Sequence, residues 1–339
     1  MKPMPSLIRA AALALILTGV SLGAHAEPFR LIVTHLEPPL VPNSVMDLAV
    51  ELGYFAREGV DVELVRVQQT PSALAAMQSG GGEMANVGLD GLIQLVAAGA
   101  SDLKAVTSPN KSLPFLIAAR DGINAPADLA GHSFGIGRPG SLDHALSSRV
   151  LGASGVDVEG IDFVSLGQPS VRIQALAAGR IDATTVSIGV YQALPDKTGL
   201  HILVAQDDYY LAAPVINKVN IVSDKALETR RGDVIKVITA LTRISRDFAK
   251  DPGKWVDAIA GFHPEASRAD LETLAASFAT SWSVNGGMNA DELAYSADWL
   301  YQTDEFKDLE PVALAGWADL SLVAAVLAAI GVDDSMDKP

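Results

Sequence analysis

Gly59-Val60-Asp61-Val62-Glu63 returns later in the chain as Gly155-Val156-Asp157-Val158-Glu159. Two further landmarks follow in the same order. Thr70-Pro71-Ser72, ahead of the helix-like run 73–77, corresponds to Gln168-Pro169-Ser170 ahead of 171–178. Gly82-Glu83-Met84-Ala85-Asn86-Val87 corresponds to Arg180-Ile181-Asp182-Ala183-Thr184-Thr185-Val186. The offsets are 96 residues (59 to 155), 98 (72 to 170) and 99 (83 to 182). So long and steady a spacing is not a solenoid repeat of 20–50 residues. It predicts two similar βαβαβ units, and two such units facing each other make a cleft.

Working outward, residues 29–34 read as a strand. Val45, Leu48, Ala49, Leu52 and Phe55 recur at helical spacing and predict one amphipathic helix, with Gly59 as its stop. Alternation over 60–67 predicts a strand. Thr70 is the expected N-cap of a helix with Pro71 in its first turn, and Asp90 the expected cap of a helix over 91–98 after a strand at 85–89. Strands are further expected at 104–107, 113–119, 133–137, 161–166, 183–187 and 215–222, and long helices from residue 233 onward. Strands alternating with helices predict an α/β fold of two lobes, each a mostly parallel sheet flanked by helices. Lobe 1 is read as 27–110 with 216–339 and lobe 2 as 111–215, joined by crossovers near 108–112 and 213–217 that form a hinge.

The 339 residues fit two domains of about 150 residues each. Lys2 and Arg9, the 13-residue apolar run 10–22, and Ala24-His25-Ala26 have the three-part layout of a cleaved secretory signal peptide over 1–26. That run is short of the roughly 20 residues of a membrane span. The expected location is therefore the periplasm. With no cysteine in the chain there is no lipid-anchor site, disulfide or thiolate nucleophile. Without Lys2 and Arg9, 23 basic residues stand against 40 acidic ones, near −17, which argues against nucleic acid and anionic membranes as partners.

In open parallel sheets ligands sit beyond the carboxyl ends of the strands, where loops lead into helix N-termini that favour anions. The repeat aims several such termini at one cleft. The candidate ligand-binding residues are His35, Glu37, Ser72, Asp90, Arg138, Ser141, Ser170 and Ser187. Ser72 and Ser170 also suit plain caps, and Glu37 a surface ion pair. Gly135-Ile136-Gly137-Arg138-Pro139-Gly140 matches G-x-G-x-x-G, but the acid that fingerprint needs at the end of the next strand is missing there. The G-x-S-x-G at 19–23 lies in the export segment. The six histidines show no metal-ligand spacing. No cofactor, metal or catalytic constellation is expected.

Leu52-Gly53-Tyr54-Phe55 followed by Glu58-Gly59-Val60-Asp61-Val62 resembles the opening of periplasmic substrate-binding proteins of the NMT1/THI5-like group, which serve ABC importers of sulfonates, nitrate, thiamine-precursor pyrimidines and aromatic acids. Ser79-Gly80 with Glu83-Met84-Ala85, Asp128-Leu129-Ala130-Gly131 with Phe134-Gly135-Ile136, and Ala178-Gly179-Arg180-Ile181-Asp182-Ala183 extend the resemblance, in order, over about 31–254. It implies a type II periplasmic-binding-protein fold, a monomer that closes on a small organic anion, a sulfonate or carboxylate, and ABC permease subunits as partners. The chain departs from the pattern at Gly81-Gly82, at Glu83 in place of aspartate, and at Ser187-Ile188-Gly189, where many members carry proline. It also lacks the cysteine-rich segment of the pyrimidine-synthesising branch. A ligand-sensing subunit docked on a membrane receptor and an enzyme of the same fold are the alternative classes.

Overall fold

The computed structural model describes residues 27–100, 102–111, 115–213, 215–303 and 305–335. The expected signal peptide and residues 112–114 of the first crossover lie outside them. The first sheet uses β1 (Phe29–Val33), β2 (Val62–Arg66), β3 (Met84–Gly88) and β4 (Leu103–Asn110). The second uses β5 (Phe115–Arg120), β6 (Ser133–Ile136), β7 (Asp162–Ser165), β8 (Ala183–Ser187) and β9 (Leu200–Val204), after which β10 (Lys218–Ser223) returns to the first. The strand orders, β2-β1-β3-β10-β4 and β7-β6-β8-β5-β9, are the same pattern twice. In each sheet one strand runs against the other four: β10 is antiparallel to β3 and β4, and β5 to β8 and β9. The sheets are thus mixed. The reversed strand of each is the one that has just come from the other sheet.

Helices α1 (Val45–Glu51), α2 (Tyr54–Arg57), α3 (Thr70–Gln78) and α4 (Leu89–Ala97) belong to the first unit. In the second, α5 (Leu142–Ala153) takes the place of α1 with α2, α6 (Pro169–Ala177) that of α3 and α7 (Ile188–Gln192) that of α4, while α8 (Gln206–Ala212) is additional. The chain then continues through α9 (Asp224–Lys250), α10 (Pro252–Ala260), α11 (Arg268–Ser277), α12 (Ala290–Tyr301), α13 (Leu314–Trp317) and α14 (Ser321–Ile330). Among the described residues no helix is long and apolar enough to cross a membrane.

Local chemistry corrects several expectations. The apolar stripe 45–55 spans two helices, because Gly53 adopts φ +71° and turns the chain between them. Gln69, not Thr70, is the N-cap of α3, and Gly88, not Asp90, that of α4. Helix α9 is broken at Arg230, whose φ −135° and ψ 23° are not helical: the segment after the break matches the helix expected from residue 233, and the segment before it, opened where Ser223 Oγ accepts the Ala226 N–H at 3.2 Å, was not expected. Strand β9 and helix α8 were not expected. The second copy also carries a 3-10 turn, Val158–Gly160, before β7, which the first copy lacks before β2.

The acid flagged as a departure has a structural task. Glu83 Oε2 accepts the Arg30 N–H at 2.7 Å and so ties the entry of β3 to β1. Asp182 Oδ2 accepts the Ser133 N–H at 2.8 Å at the equivalent place in the second sheet. The longer glutamate follows Gly82, where a Cβ would stand 2.8 Å from Ile32 Cγ1. Behind the first sheet, Trp255, Phe278, Trp282 and Phe248 form an edge-packed ring cluster with centroids 4.9–5.5 Å apart. Trp255 Nε1 donates to Ser44 Oγ at 3.0 Å, fixing the turn that leads into α1. Large buried rings of this kind carry much of a core's apolar burial.

Candidate functional site

A cavity of about 610 Å³ lies between the two sheets. The carboxyl ends of β1, β3, β6 and β8 open onto it, and so do the N-termini of α3, α4, α5 and α6. His35, Glu37, Asp90, Arg138, Ser141, Ser170 and Ser187 all line it. Ser72 does not: it is exposed on α3, and Thr70 stands at the cavity wall instead.

Several of these residues are already engaged. Ser187 Oγ accepts the Val190 N–H at 3.3 Å as the cap of α7. Ser141 Oγ lies 2.7 Å from Arg138 O and 2.6 Å from Asp143 Oδ1. Ser170 and Glu37 are exposed at the rim. His35 Nε2 lies 2.8 Å from Asp47 Oδ2, and Asp47 Oδ1 accepts Arg66 Nη2 at 2.7 Å. Burial lowers the His35 pKa, against the pull of Asp47, so the ring is neutral at pH 7. Its Nδ1 is buried without a partner, as is Asn43 Oδ1 beside the same cavity. Asn43 Nδ2 donates to Asn86 Oδ1 at 3.1 Å and Asn86 Nδ2 to Asn220 Oδ1 at 2.8 Å, a buried amide chain that holds the floor of the first domain.

Among the wall residues that sequence reading missed are Lys218, Phe115, Arg172 and Asp143. Lys218 is the first residue of β10, and its Nζ donates to Thr34 Oγ1 at 2.6 Å. Among the described residues no carboxylate lies within 4 Å of it to form an ion pair. Burial pushes its pKa down to about 8, with the more distant Asp90 charge opposing. Phe115 is the first residue of β5 and pairs with Ser187, as Lys218 pairs with Gly88. Lys218 and Phe115 each open the reversed strand of their sheet. An antiparallel strand brings its amino end, not its carboxyl end, to the cleft. Arg172 is buried on α6; its Nη1 donates to Gly167 O at 2.6 Å, its Nη2 to Thr185 O at 3.0 Å, and Asp143 Oδ2 is 3.5 Å away. Asp143 Oδ2 accepts the Gly137 N–H at 2.8 Å. A charge on the apolar face shared with Ile173 and Leu176 was the available signal for Arg172.

The two halves touch across the cleft. Arg138 Nη2 is 3.6 Å from Asp90 Oδ2. Gln168 Nε2 donates to Gln68 O. His144 Nδ1 is 3.6 Å from Glu305 Oε1. A Cβ placed on Gly189 would stand 2.4 Å from Leu40 O. Among the described residues no group of three acidic or histidine side chains converges to hold a metal ion.

Thr70 sets the wall's local shape. Its Oγ1 accepts the Gly88 N–H at 2.9 Å, and its methyl packs where a Gly91 Cβ would clash at 2.5 Å. Thr70→Val keeps the shape but leaves that N–H unsatisfied, and is expected to cost about 1–2 kcal/mol. Thr70→Ser should retain most of the stability. Urea denaturation of the two variants tests this; equal losses would remove the hydrogen bond from the account.

No functionally curated protein matches the chain by sequence. Among solved structures it is similar to the ligand-binding component of an ABC-type import system from Staphylococcus aureus, solved with zinc bound: TM-score 0.72 and 17% identity over 89% of this chain and 99% of that one. It is also similar to the periplasmic aliphatic sulphonate-binding protein SsuA of Escherichia coli, with TM-score 0.66 and 18% identity over 87% and 92%. The alkanesulfonate-binding protein SsuA of Xanthomonas axonopodis pv. citri, bound to MOPS, matches with TM-score 0.61 and 20% identity over 75% and 85%. At these identities the likeness shows the fold, that of the periplasmic binding proteins. The NMT1/THI5 like family model matches residues 45–254, more than half of the chain, and the chain belongs to that family.

Proposed function

We propose that the chain is the periplasmic solute receptor of an ABC importer. It binds a small organic anion, a sulfonate or carboxylate with an apolar body, and delivers it to permease subunits in the membrane. The observation that carries this reading is the pair of equivalent wall positions, Lys218 and Phe115. One offers a half-buried ammonium with no carboxylate in ion-pair range among the described residues, the other a ring. Such a cleft suits a ligand charged at one end and apolar at the other. Arg138, Ser141, Ser170 and Ser187 face the ligand from one side, and His35, Glu37 and Asp90 from the other. Residues 27–110 with 216–339 and residues 111–215 move as two bodies about the paired crossovers, and closure buries the ligand between them. No bond in the ligand changes. The sulfonate receptors among its structural relatives support the anion.

A thermal-shift screen of residues 27–339 tests the reading. The panel holds alkanesulfonates, aromatic and aliphatic carboxylates, nitrate, pyrimidines and amines. A ligand at 100 times its Kd adds about 2.7 kcal/mol of stability. A shift confined to organic anions is the expected result. Shifts only with pyrimidines or amines would overturn the anion assignment, and turnover of a bound compound would overturn the receptor.

A further inference from the structure

We propose that Asp90 fixes the charge of the ligand: by neutralising Arg138 across the cleft it leaves Lys218 as the single unmatched charge of the deep cavity, so that singly charged organic anions are selected over doubly charged ones. This rests on the reading of the cleft as an anion receptor and adds a rule for which anions it takes.

Asp90 lies in the first turn of α4, in the first domain, and is only 3% exposed. Its Oδ2 is 3.6 Å from Arg138 Nη2; burial pushes its pKa up, and the Arg138 guanidinium with the Gly91 and Leu142 N–H groups opposes that rise. Arg138 lies in the β6–α5 connection and Leu142 opens α5, both in the second domain. A guanidinium beside a helix N-terminus is the kind of place an anionic ligand would otherwise take. Here a carboxylate of the protein's own reaches over from the opposite domain and fills it.

The other charges of the wall are matched as well. Arg172 has Asp143 at 3.5 Å. The His263 ring is held on both sides, Nδ1 3.1 Å from Glu265 Oε1 and Nε2 2.7 Å from Pro38 O. His35 is neutral, and Glu37 is exposed at the rim, where water screens it. Lys218 remains, held by a hydroxyl. One negative charge completes that wall. A second would be taken out of water with no cation to meet it, which is strongly unfavourable.

Isothermal titration at pH 7 with two matched pairs, propane-1-sulfonate against propane-1,3-disulfonate and benzoate against phthalate, tests this in a charge series. Wild type should bind the monoanion of a pair at least tenfold more tightly than its dianion. Asp90→Asn frees Arg138 and should move that ratio at least tenfold towards the dianion. Arg138→Gln leaves Asp90 to offset Lys218 and should weaken the monoanion at least tenfold. Asp90→Asn with Arg138→Gln restores a single unmatched charge and should return the ratio to the wild-type side. A purely structural role for Asp90 would not give that return. Should Asp90→Asn not fold, the Arg138→Gln variant and the double variant still read the series. A wild-type preference for the dianion, or ratios unmoved through the series, would overturn the charge rule and leave the receptor standing. Loss of all monoanion binding in Asp90→Asn, without gain for the dianion, would make Asp90 a direct ligand contact and also overturn it. If wild type binds none of the four anions, the anion-receptor reading falls and the charge rule with it.

Discussion

Lys218→Met is expected to weaken anion binding roughly 100-fold, about 2.7 kcal/mol, while making the unliganded protein more stable. The two effects have one origin. The ammonium is half-buried beside Thr34 with no carboxylate in ion-pair range among the described residues, and its pKa is pushed down from 10.5 to about 8. Below pH 8 both the folded and the unfolded chain carry the proton, so the cost of burying the charge is fully present. Between pH 8 and 10.5 the unfolded chain binds more protons than the folded one. The unliganded protein should therefore gain stability across that window, and the Met variant should lack the gain. Ligand binding has the opposite sign. An anion favours the charged lysine, so affinity should be flat below pH 8 and fall as pH rises through it. Titration calorimetry and urea melts from pH 6 to 10 read both. Wild-type affinity in Lys218→Met, with no pH dependence above 8, would remove the lysine from the site.

Gly189→Leu is expected to cost a similar factor for a different reason. Gly189 lies in α7 of the second domain, and its α-carbon approaches Leu40 of the first so closely that an added Cβ would meet a carbonyl oxygen at 2.4 Å and Leu40 Cβ at 2.7 Å. The obstacle is backbone and cannot swing aside. A leucine there penalises only the arrangement in which the halves meet. Apparent affinity is reduced by whatever fraction of the closed state is lost. Small-angle scattering should show wild type more compact with saturating ligand and the variant unchanged. The thermal midpoint of the unliganded variant should stay near wild type if, as proposed, the halves part at this contact without ligand. Equal compaction and equal affinity in the variant would count against closure at this contact.

Local signals carried the fold far. The duplicated Gly-Val-Asp-Val-Glu segments, the Pro71 and Pro169 helix starts and the alternating strands all depend on neighbours in sequence, and two sheets of one strand order follow from them. The errors are of the same local kind. Residues 45–55 kept a helical stripe through Gly53 because periodicity does not register a left-handed φ. The segment of α9 before its break at Arg230 went unseen because charge masks periodicity there.

The site divides along another line. Seven of the eight residues named from sequence line the cavity, since loops at strand ends are placed by topology alone. What those side chains are free to do was not legible. Arg138, read as a cation waiting for a ligand, faces Asp90 from the other domain, 48 residues away in sequence.

By itself, then, the sequence determined the two-unit α/β architecture, the family and the strand-end loops that form the cleft, because each is written in residues near one another in the chain. Only the tertiary structure decided which charges remain unmatched there. Lys218 and Phe115 reach the cleft because a crossover reverses one strand in each sheet, and Asp90 meets Arg138 because the two domains face each other across it. Pairing of charges depends on distance in space, which no periodicity, cap or motif along the chain encodes.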